Sequence, residues 1–411
     1  MDGFAVSQVN VPLSNLRAIT IIIVVAFHSV LPYLASQPAY PFPFDAPPYR
    51  WIAFPILDNE RWFGFDLFCA WQDVSLMSLM FLLAGLFTPS SLGRKGPRTY
   101  TLERSWRIGL PFVLAVGVLS PLAYFASYRL TAADPSFSAF WQHWRALPMW
   151  PAGPQWFLWQ IFLLGAVAAA LHAFAPHWLK TSSALVARVA DRPLMFFVGL
   201  AALSALAYVP LAMAFTPWEW TFLGPFSFQL SRPLHYIVYF FAGFAIGSHR
   251  PEHSLLGPGG PLARHWLVWL AAAVVSMSVW GGLTSLTLPE WQAAALVSRL
   301  ASALAFPVAS AAATLCLLAI CLRLLQSRDR LLDSLSSNAY SIYLVHYIVV
   351  VWLQYALLDV HLNAIGKAMI VFAAALTFSL AASAGMQIAM RALISRHSEP
   401  QDERAIANQP R

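Results

Sequence analysis

Charged side chains are scarce in this sequence of 411 residues. Only 10% of the residues are Asp, Glu, Lys or Arg, and 59% are hydrophobic, whereas soluble domains carry about 25% charged residues. This composition excludes an ordinary soluble domain and predicts a polytopic membrane protein. The net charge of +7 then needs no nucleic-acid partner, because basic residues in the loops fit membrane orientation better.

Cysteine is almost as scarce, with only Cys69, Cys316 and Cys321 in the chain. They form no CxxC pair and no spacing typical of metal ligands, which excludes a disulfide framework and predicts no metal site. The first residues also lack the basic segment of a signal peptide, and no small-residue cleavage site follows them. We therefore interpret the first apolar run as a retained membrane span.

Apolar stretches long enough to cross a bilayer recur along the chain, separated by short polar or proline-rich breaks. They predict an all-α integral membrane protein with about ten transmembrane helices and no internal repeat. The segment 215–233 is rich in proline and aromatic residues, and we interpret it as a re-entrant or interfacial piece. The predicted spans are 16–34, 67–88, 106–126, 156–174, 194–214, 234–249, 265–285, 299–322, 339–358 and 366–390.

The basic residues predict the orientation of these spans. Eighteen of the 25 Lys and Arg residues fall on the side that holds the N-terminus, and seven fall on the other side. The positive-inside rule then places both termini in the cytoplasm, as an even number of helices requires. We expect a cytoplasmic N-terminal segment 1–15, a membrane domain 16–394, and a polar, disordered cytoplasmic tail 395–411.

The first span, Leu16–Leu34, carries two polar side chains of special interest. Arg17 and His28 are eleven residues apart, so they share nearly the same helix face at a separation of about 16 Å. With Arg17 at a membrane surface, His28 lies near the middle of the bilayer, where an imidazole is costly unless it serves a function. His28 is therefore a candidate base; a structural hydrogen bond between helices is the alternative, and Arg17 alone fits a topological role equally well.

A second candidate is the basic segment Arg94–Phe112, which includes Arg98, Arg104 and Arg107. We predict a helix that begins near Ser105, so that Arg104 and Arg107 share a face in its first turn. Arginine side chains and the free N–H groups of a helix N-terminus both bind phosphate well. The cluster alone does not separate a phosphorylated cofactor from an anionic lipid headgroup.

Further candidates lie in two later segments. Tyr343 and His346 are three residues apart in a predicted span, so they face the same way; His346 fits a second catalytic or positioning group, or a hydrogen bond between helices. On the other membrane side, segment 135–159 holds five tryptophans. An interfacial aromatic belt is one interpretation, and a sugar-stacking surface with Trp144, Gln155 and Trp156 is the other.

These motifs, taken in order, resemble the acyltransferase-3 family of polytopic membrane acyltransferases. The resemblance covers nearly the whole chain, although Ala84 stands where the family usually has serine. Within the family, the segment Arg232–Arg250 and the YLVH element resemble the glucan biosynthesis protein C branch, a glucan succinyltransferase group. The matching elements are Arg17 and His28 as an R-x10-H pattern, MFLLAGLF at 80–87, RSWR at 104–107, WFLW at 156–159 and NAYSIYLVH at 338–346.

The resemblance implies transfer of an acetyl or succinyl group from cytoplasmic acyl-CoA to a hydroxyl of an extracytoplasmic or lipid-linked glycan. It implies that His28 is the catalytic histidine, with Arg17 as its motif partner, and that Arg104 and Arg107 meet the CoA phosphates, with Arg98 beside them. No permanently bound cofactor is expected, and the partners are acyl-CoA, the glycan and membrane lipids. The location implied is a bacterial cytoplasmic membrane.

A transporter or flippase for a lipid-linked sugar or small solute is the main alternative. It would also need ionisable residues within the membrane. The absence of repeats and the scarcity of acidic residues in the spans favour the enzyme.

Overall fold

A computed structural model describes residues 11–190, 192–249, 255–257 and 259–398. Within these residues the fold is all-α apart from one short hairpin, which confirms the predicted fold class; the hairpin itself was not predicted. The helices are α1 Val11–Val30, α2 Phe63–Lys95, α3 Pro97–Thr131, α4 Phe137–Ala146, α5 Trp156–Phe174, α6 Pro176–Ala190, α7 Pro193–Phe215, α8 Pro233–Ser248, α9 Pro261–Arg264, α10 Trp266–Ser285, α11 Leu296–Leu324, α12 Arg330–Ala356 and α13 Ala364–Ser398; the strands are β1 Trp220–Leu223 and β2 Phe226–Gln229.

The helices agree with the predicted spans in number and place. Within the described residues, nine helices are long and apolar enough to cross a membrane, and α8 is a tenth, shorter apolar helix. Several extend beyond their predicted ends: α2 has 33 residues and α3 has 35. At about 1.5 Å per residue such helices are near 50 Å long, so their polar ends project from the bilayer. The two orientations of this array are not distinguished by its fold, and cytoplasmic termini remain a prediction.

The segment predicted as re-entrant or interfacial contains a β-hairpin. Strands β1 and β2 pair antiparallel, with Trp220 opposite Gln229 and Leu223 opposite Phe226, and Gly224 adopts a positive φ of 60° in the turn. The indole N–H of Trp159 on α5 donates to the Ser227 carbonyl at 3.1 Å. The two strands thus satisfy each other's backbone hydrogen-bonding groups, and the hairpin packs on α5. The lengths of the apolar runs in the sequence did not indicate this hairpin.

The chain ends fit the predicted boundaries only in part. Helix α1 already begins at Val11, inside the predicted N-terminal segment, and α13 continues to Ser398, inside the predicted tail. Residues 1–10 and 399–411, which complete those two predicted segments, lie outside the described residues.

The closest helix packing joins α2 and α8. Gly85, Gly243 and Gly247 lie against the backbone of the opposite helix, and a Cβ at Gly243 would be 1.9 Å from the Leu82 carbonyl oxygen. Only glycine allows two helix backbones to approach so closely. This contact forms part of the largest apolar core, to which α1, α5, α11 and α12 also contribute.

Within the described residues, one fully buried ion pair and one partly buried ion pair join parts of the chain that are far apart in sequence. The Lys367 ammonium contacts Asp58 at 2.7 Å, with both side chains no more than 3% exposed. The Arg232 guanidinium contacts Asp73 at 2.7 Å and lies 4.3 Å from the centre of the Phe306 ring. Buried charges need such partners, because an unpaired one would cost several kcal/mol.

Candidate active site

Helices α1 and α12 pack in parallel and carry the centre of the candidate site. Near their first turns, the Ser14 and Ser336 hydroxyls are 3.0 Å apart. Near their other ends, the Gln354 side-chain amide donates to the His28 carbonyl at 2.7 Å. The two helices therefore run in the same direction, and the two predicted histidines lie side by side at the same height along the helix axes.

His28 and His346 form a direct pair. His346 Nε2 lies 3.2 Å from His28 Nδ1, and the ring centres are 5.0 Å apart. The His346 side chain is fully buried, whereas His28 is half-buried. The structure thus unites two side chains that the sequence offered only as separate candidates.

The neighbouring carbonyl groups assign the protons of the neutral pair. His346 Nδ1 lies 2.8 Å from the Tyr343 carbonyl oxygen, so this nitrogen is a donor and Nε2 is an acceptor. His28 Nδ1 lies 2.8 Å from the Val24 carbonyl oxygen, so it is also a donor, and its proton points between Val24 and His346. The lone pair of neutral His28 is therefore on Nε2, which is the atom available as a base.

Tyrosines line the other side of His28. The Tyr347 ring meets the His28 ring edge to face at 5.3 Å, and its hydroxyl lies 3.4 Å from that of Tyr124. Next to both tyrosines is Gly153, at a positive φ of 55°. A Cβ at this glycine would lie 3.3 Å from the Tyr124 hydroxyl and from a ring carbon of Tyr347. Tyr347 and Tyr124 belong to the site and were not among the sequence candidates.

Tyr343 and Gln155 hold the turn before α5 against α12. The Tyr343 hydroxyl donates to the Pro154 carbonyl, and the Gln155 amide donates to the Leu344 carbonyl at 3.2 Å. Both side chains are buried. Tyr343 is thus one helical turn from His346, as predicted, and its hydroxyl is engaged by backbone.

Arg17 lies on α1 three turns before His28, and its side chain is exposed. By helix geometry the two residues are about 16 Å apart along the axis. Arg17 therefore lies at the end of the helix pair, remote from the imidazole, as the sequence predicts.

The arginine cluster lies on α3, but its helix begins earlier than predicted. Gly96, at a positive φ of 74°, precedes Pro97 at the first helical position, an arrangement that fixes the helix start there. Residues Ser105–Gly109 form a π-helical turn within the helix. The prediction of a helix start near Ser105 was wrong, so the free N–H groups lie beside Arg98, and Arg104 and Arg107 offer only their side chains.

The arginine side chains are open to ligands. Arg98 and Arg107 are exposed and Arg104 is half-buried, with its guanidinium 5.0 Å from the centre of the Tyr100 ring. The Tyr340 hydroxyl of α12 donates to the Arg107 carbonyl at 2.6 Å. Since Tyr340 precedes His346 by six residues, α12 connects the arginine cluster to the histidine pair over about 9 Å.

Comparison with protein-family models identifies the family of this chain. The model described as an acyltransferase domain (Acyl_transf_3) matches residues 12–384. The chain belongs to the acyltransferase-3 family. Comparison with the curated proteins and with the solved structures finds no match. This protein is therefore a membrane acyltransferase in general terms, and the matched range includes both histidines and the arginine cluster.

In the aromatic segment of this acyltransferase, Trp144 and Trp156 are packed, whereas Trp150 is 42% exposed. Trp144 is 1% exposed and lies among Trp51, Tyr124 and Phe140, so it presents no open face to a sugar in this structure. Trp156 is half-buried and meets Trp220 of the hairpin edge to face at 5.5 Å. Of the predicted sugar-stacking residues, Trp156 keeps the most accessible ring.

The acyltransferase holds its nearby carboxylates away from the histidine pair. Asp73 on α2 binds Arg232. Asp66 accepts the backbone N–H groups of Ala35 and Ser36 at 2.8 and 3.1 Å. The partner of His28 is therefore an imidazole.

Sequence reasoning missed one further buried histidine, His235 on α8. Its Nε2 lies 2.9 Å from the Ser78 hydroxyl, and its Nδ1 contacts Ser204. The Ser310 hydroxyl donates to Ser78 at 2.7 Å. The depth argument applied to His28 would have found His235, which joins four helices of the acyltransferase through hydroxyl groups.

Proposed function

We propose that this protein is an O-acyltransferase that moves an acetyl or succinyl group from acyl-CoA to a hydroxyl of an extracytoplasmic or lipid-linked glycan. The family supports acyl transfer, and the resemblance to the glucan biosynthesis protein C branch supports a glycan acceptor. The observation that carries the proposal is the His28–His346 pair, with its free Nε2 lone pair inside the membrane domain. A bacterial cytoplasmic membrane is the proposed location.

The proposed reaction uses His28 Nε2 as a general base. It takes the proton of the acceptor hydroxyl while that oxygen attacks the thioester carbonyl. The tetrahedral intermediate then collapses, the C–S bond breaks, and the imidazolium returns the proton to the departing thiolate. During the cycle His346 Nε2 accepts a hydrogen bond from His28 Nδ1, which strengthens when His28 carries a charge. Atoms and charges balance without a further reactant.

A covalent route is open to the same atom. Here Nε2 attacks the thioester carbon, the C–S bond breaks, and CoA leaves as a thiolate from a positively charged acyl-imidazole. The acceptor hydroxyl oxygen then takes the acyl group, its proton passes to the thiolate, and neutral His28 is restored. His28 is then a transient acyl carrier. Acyl-histidine trapped after rapid mixing with labelled acyl-CoA would favour this route, whereas transfer without such an adduct would favour the base.

Opposite ends of the α1–α12 pair support access from both sides. Arg17 and the Arg98–Arg107 segment lie toward one end, where the CoA phosphates would bind outside the bilayer. Tyr347 follows His346 on α12, and the Trp352 indole donates to the Leu122 carbonyl two residues before Tyr124, so both tyrosines lie toward the other end. We propose that the thin pantetheine arm reaches His28 from the first end and the sugar hydroxyl reaches it from the second.

Labelled donors test this function. Membranes that contain the protein are incubated with radiolabelled acetyl-CoA or succinyl-CoA, and the glycan fraction is counted. We expect label in that fraction from one of the two donors, and none with membranes that lack the protein. Uptake of a lipid-linked sugar without any transferred label would instead favour the transporter.

We expect the Arg104→Ala/Arg107→Ala variant to bind acyl-CoA at least about tenfold more weakly. Each guanidinium would lose charge-assisted hydrogen bonds to phosphate, worth about 1.5–3 kcal/mol apiece. Titration calorimetry on the purified protein measures the affinity. Arg323→Ala/Arg328→Ala, which removes two exposed arginines elsewhere, is the matched control. Unchanged affinity in the test variant would assign the cluster to membrane orientation.

A further inference from the structure

A buried glutamine on α5, Gln160, lies outside the sequence motifs and the histidine pair. Its side chain is 6% exposed, and its Nε2 is buried without a hydrogen-bond partner in the described part of the chain. Buried polar groups are normally hydrogen-bonded, because an unsatisfied one lowers the stability of the fold. The amide N–H of Gln160 can therefore donate to a ligand.

The face of α5 that carries Gln160 is turned toward the interior of the helix bundle. Phe157, three residues earlier, shares this face, and its ring centre lies 5.0 Å from that of Phe81 on α2 and 6.2 Å from that of Tyr343 on α12. Leu164, one turn later, is also 6% exposed. Gln160 thus points between α2, α5 and α12, and away from lipid.

Helix α5 runs from the level of the histidine pair toward the arginine cluster. At its start, the Gln155 amide donates to the Leu344 carbonyl of α12 at 3.2 Å. Farther along, a Cβ at Gly165 would lie 3.0 Å from the Tyr100 hydroxyl, and the Tyr100 ring packs on an arginine of the cluster. Gln160 lies midway between these two contacts with α12 and α3.

The distance from Gln160 to the histidine pair follows from helix geometry. Helix α12 is antiparallel to α5, because Tyr340, which precedes His346, contacts the arginine cluster. Gln160 is five residues beyond Gln155 toward that cluster. His346 is two residues beyond Leu344 in the opposite direction. Seven residues of helix rise therefore place Gln160 about 10 Å from His346 along the axis.

The pantetheine arm of CoA carries two amides between its sulfur and its phosphates. The outer amide is about eight bonds from the sulfur, which is about 10 Å in an extended chain. We propose that Gln160 binds this outer amide, with its Nε2 donating to the amide carbonyl while the thioester lies at His28. The inference rests on the proposed use of acyl-CoA and adds a residue that binds its uncharged arm.

Two ligands test this assignment by titration calorimetry. CoA carries the pantetheine arm, whereas adenosine 3′-phosphate 5′-diphosphate keeps the phosphates without it. We expect Gln160→Met to bind CoA about three- to tenfold more weakly, the effect of one neutral hydrogen bond, and to bind the nucleotide as the parent protein does. Gln292→Met, at an exposed glutamine that binds Arg299, is the matched control and should leave both affinities unchanged.

Two small thioesters locate the amide. Acyl-pantetheine contains both amides, whereas acyl-N-acetylcysteamine contains only the one next to the sulfur. At low donor concentration, Gln160→Met should transfer label from acyl-pantetheine about three- to tenfold more slowly than the parent. With acyl-N-acetylcysteamine the two rates should be the same. Equal losses with both thioesters would overturn the assignment to the outer amide.

The fold should be kept in Gln160→Met. Methionine has a similar volume, and an apolar side chain removes an unsatisfied buried amide, so the thermal unfolding midpoint should stay the same or rise. A lower midpoint with unchanged CoA affinity would show that Gln160 only supports the fold. If the parent transfers label and Gln160→Met keeps full CoA affinity, this inference alone fails. A parent protein that binds no CoA would overturn the proposed donor as well.

Discussion

Replacing His28 with alanine should reduce acyl transfer by about 10²–10⁴-fold, the usual contribution of a general base. The Nε2 lone pair is lost in this variant, while the α1 backbone keeps its contact with Gln354 through the His28 carbonyl. Label transfer from acyl-CoA to the glycan fraction measures the effect. The thermal unfolding midpoint should change little, because His28 is only half-buried. A variant that kept full activity would refute the assignment of His28.

His346 should act through His28 as a positioning residue. In His346→Leu the His28 Nδ1 proton loses an acceptor at 3.2 Å, so we expect a lower kcat with an unchanged KM. His346→Gln retains a side-chain oxygen that can accept the same proton, and should recover part of the loss. A purely structural His346 would instead show equal defects in both variants, together with lower unfolding midpoints.

The candidate site shows what single residues in a sequence can and cannot reveal. His28 and His346 were each predicted from their depth in an apolar span, which is a local property. The two paired histidines are 318 residues apart in the sequence, and no local sequence pattern indicates which two helices pack together. The same limit hid Tyr347 and Tyr124, since a tyrosine in an apolar helix is ordinary until its neighbours are known.

The fold, too, was predictable from the sequence only in part. The number of spans was predictable, because apolar length is read directly from the chain. The start of α3 was not, since the polar residues 97–105 are helical by their packing and capping rather than by hydropathy. Likewise, no local pattern indicates that Asp58 and Lys367 meet, and their contact explains how both charges are buried.

Gly243→Ala should lower the free energy of unfolding by about 3 kcal/mol or more. This is at or above the upper end of the usual free-energy cost of overpacking a core. The added Cβ would lie 1.9 Å from the Leu82 carbonyl oxygen and 2.8 Å from its carbon. Both are backbone atoms of α2, so no side-chain rotation relieves the overlap and the two helices must move apart. Gly85 opposes the Phe240 carbonyl at the same distance, so separation at one glycine also opens the other.

Gly199→Ala on α7 is the matched control, because its added Cβ would have no described atom within 4 Å. Alanine favours a helix over glycine by about 1 kcal/mol, so this control should be neutral or slightly stabilising. The two variants thus differ in the sign of their effect, although the chemical change is identical. Thermal unfolding of both proteins in nanodiscs measures the difference. If the two midpoints shifted alike, the change would reflect helix propensity, and the α2–α8 contact would not require glycine.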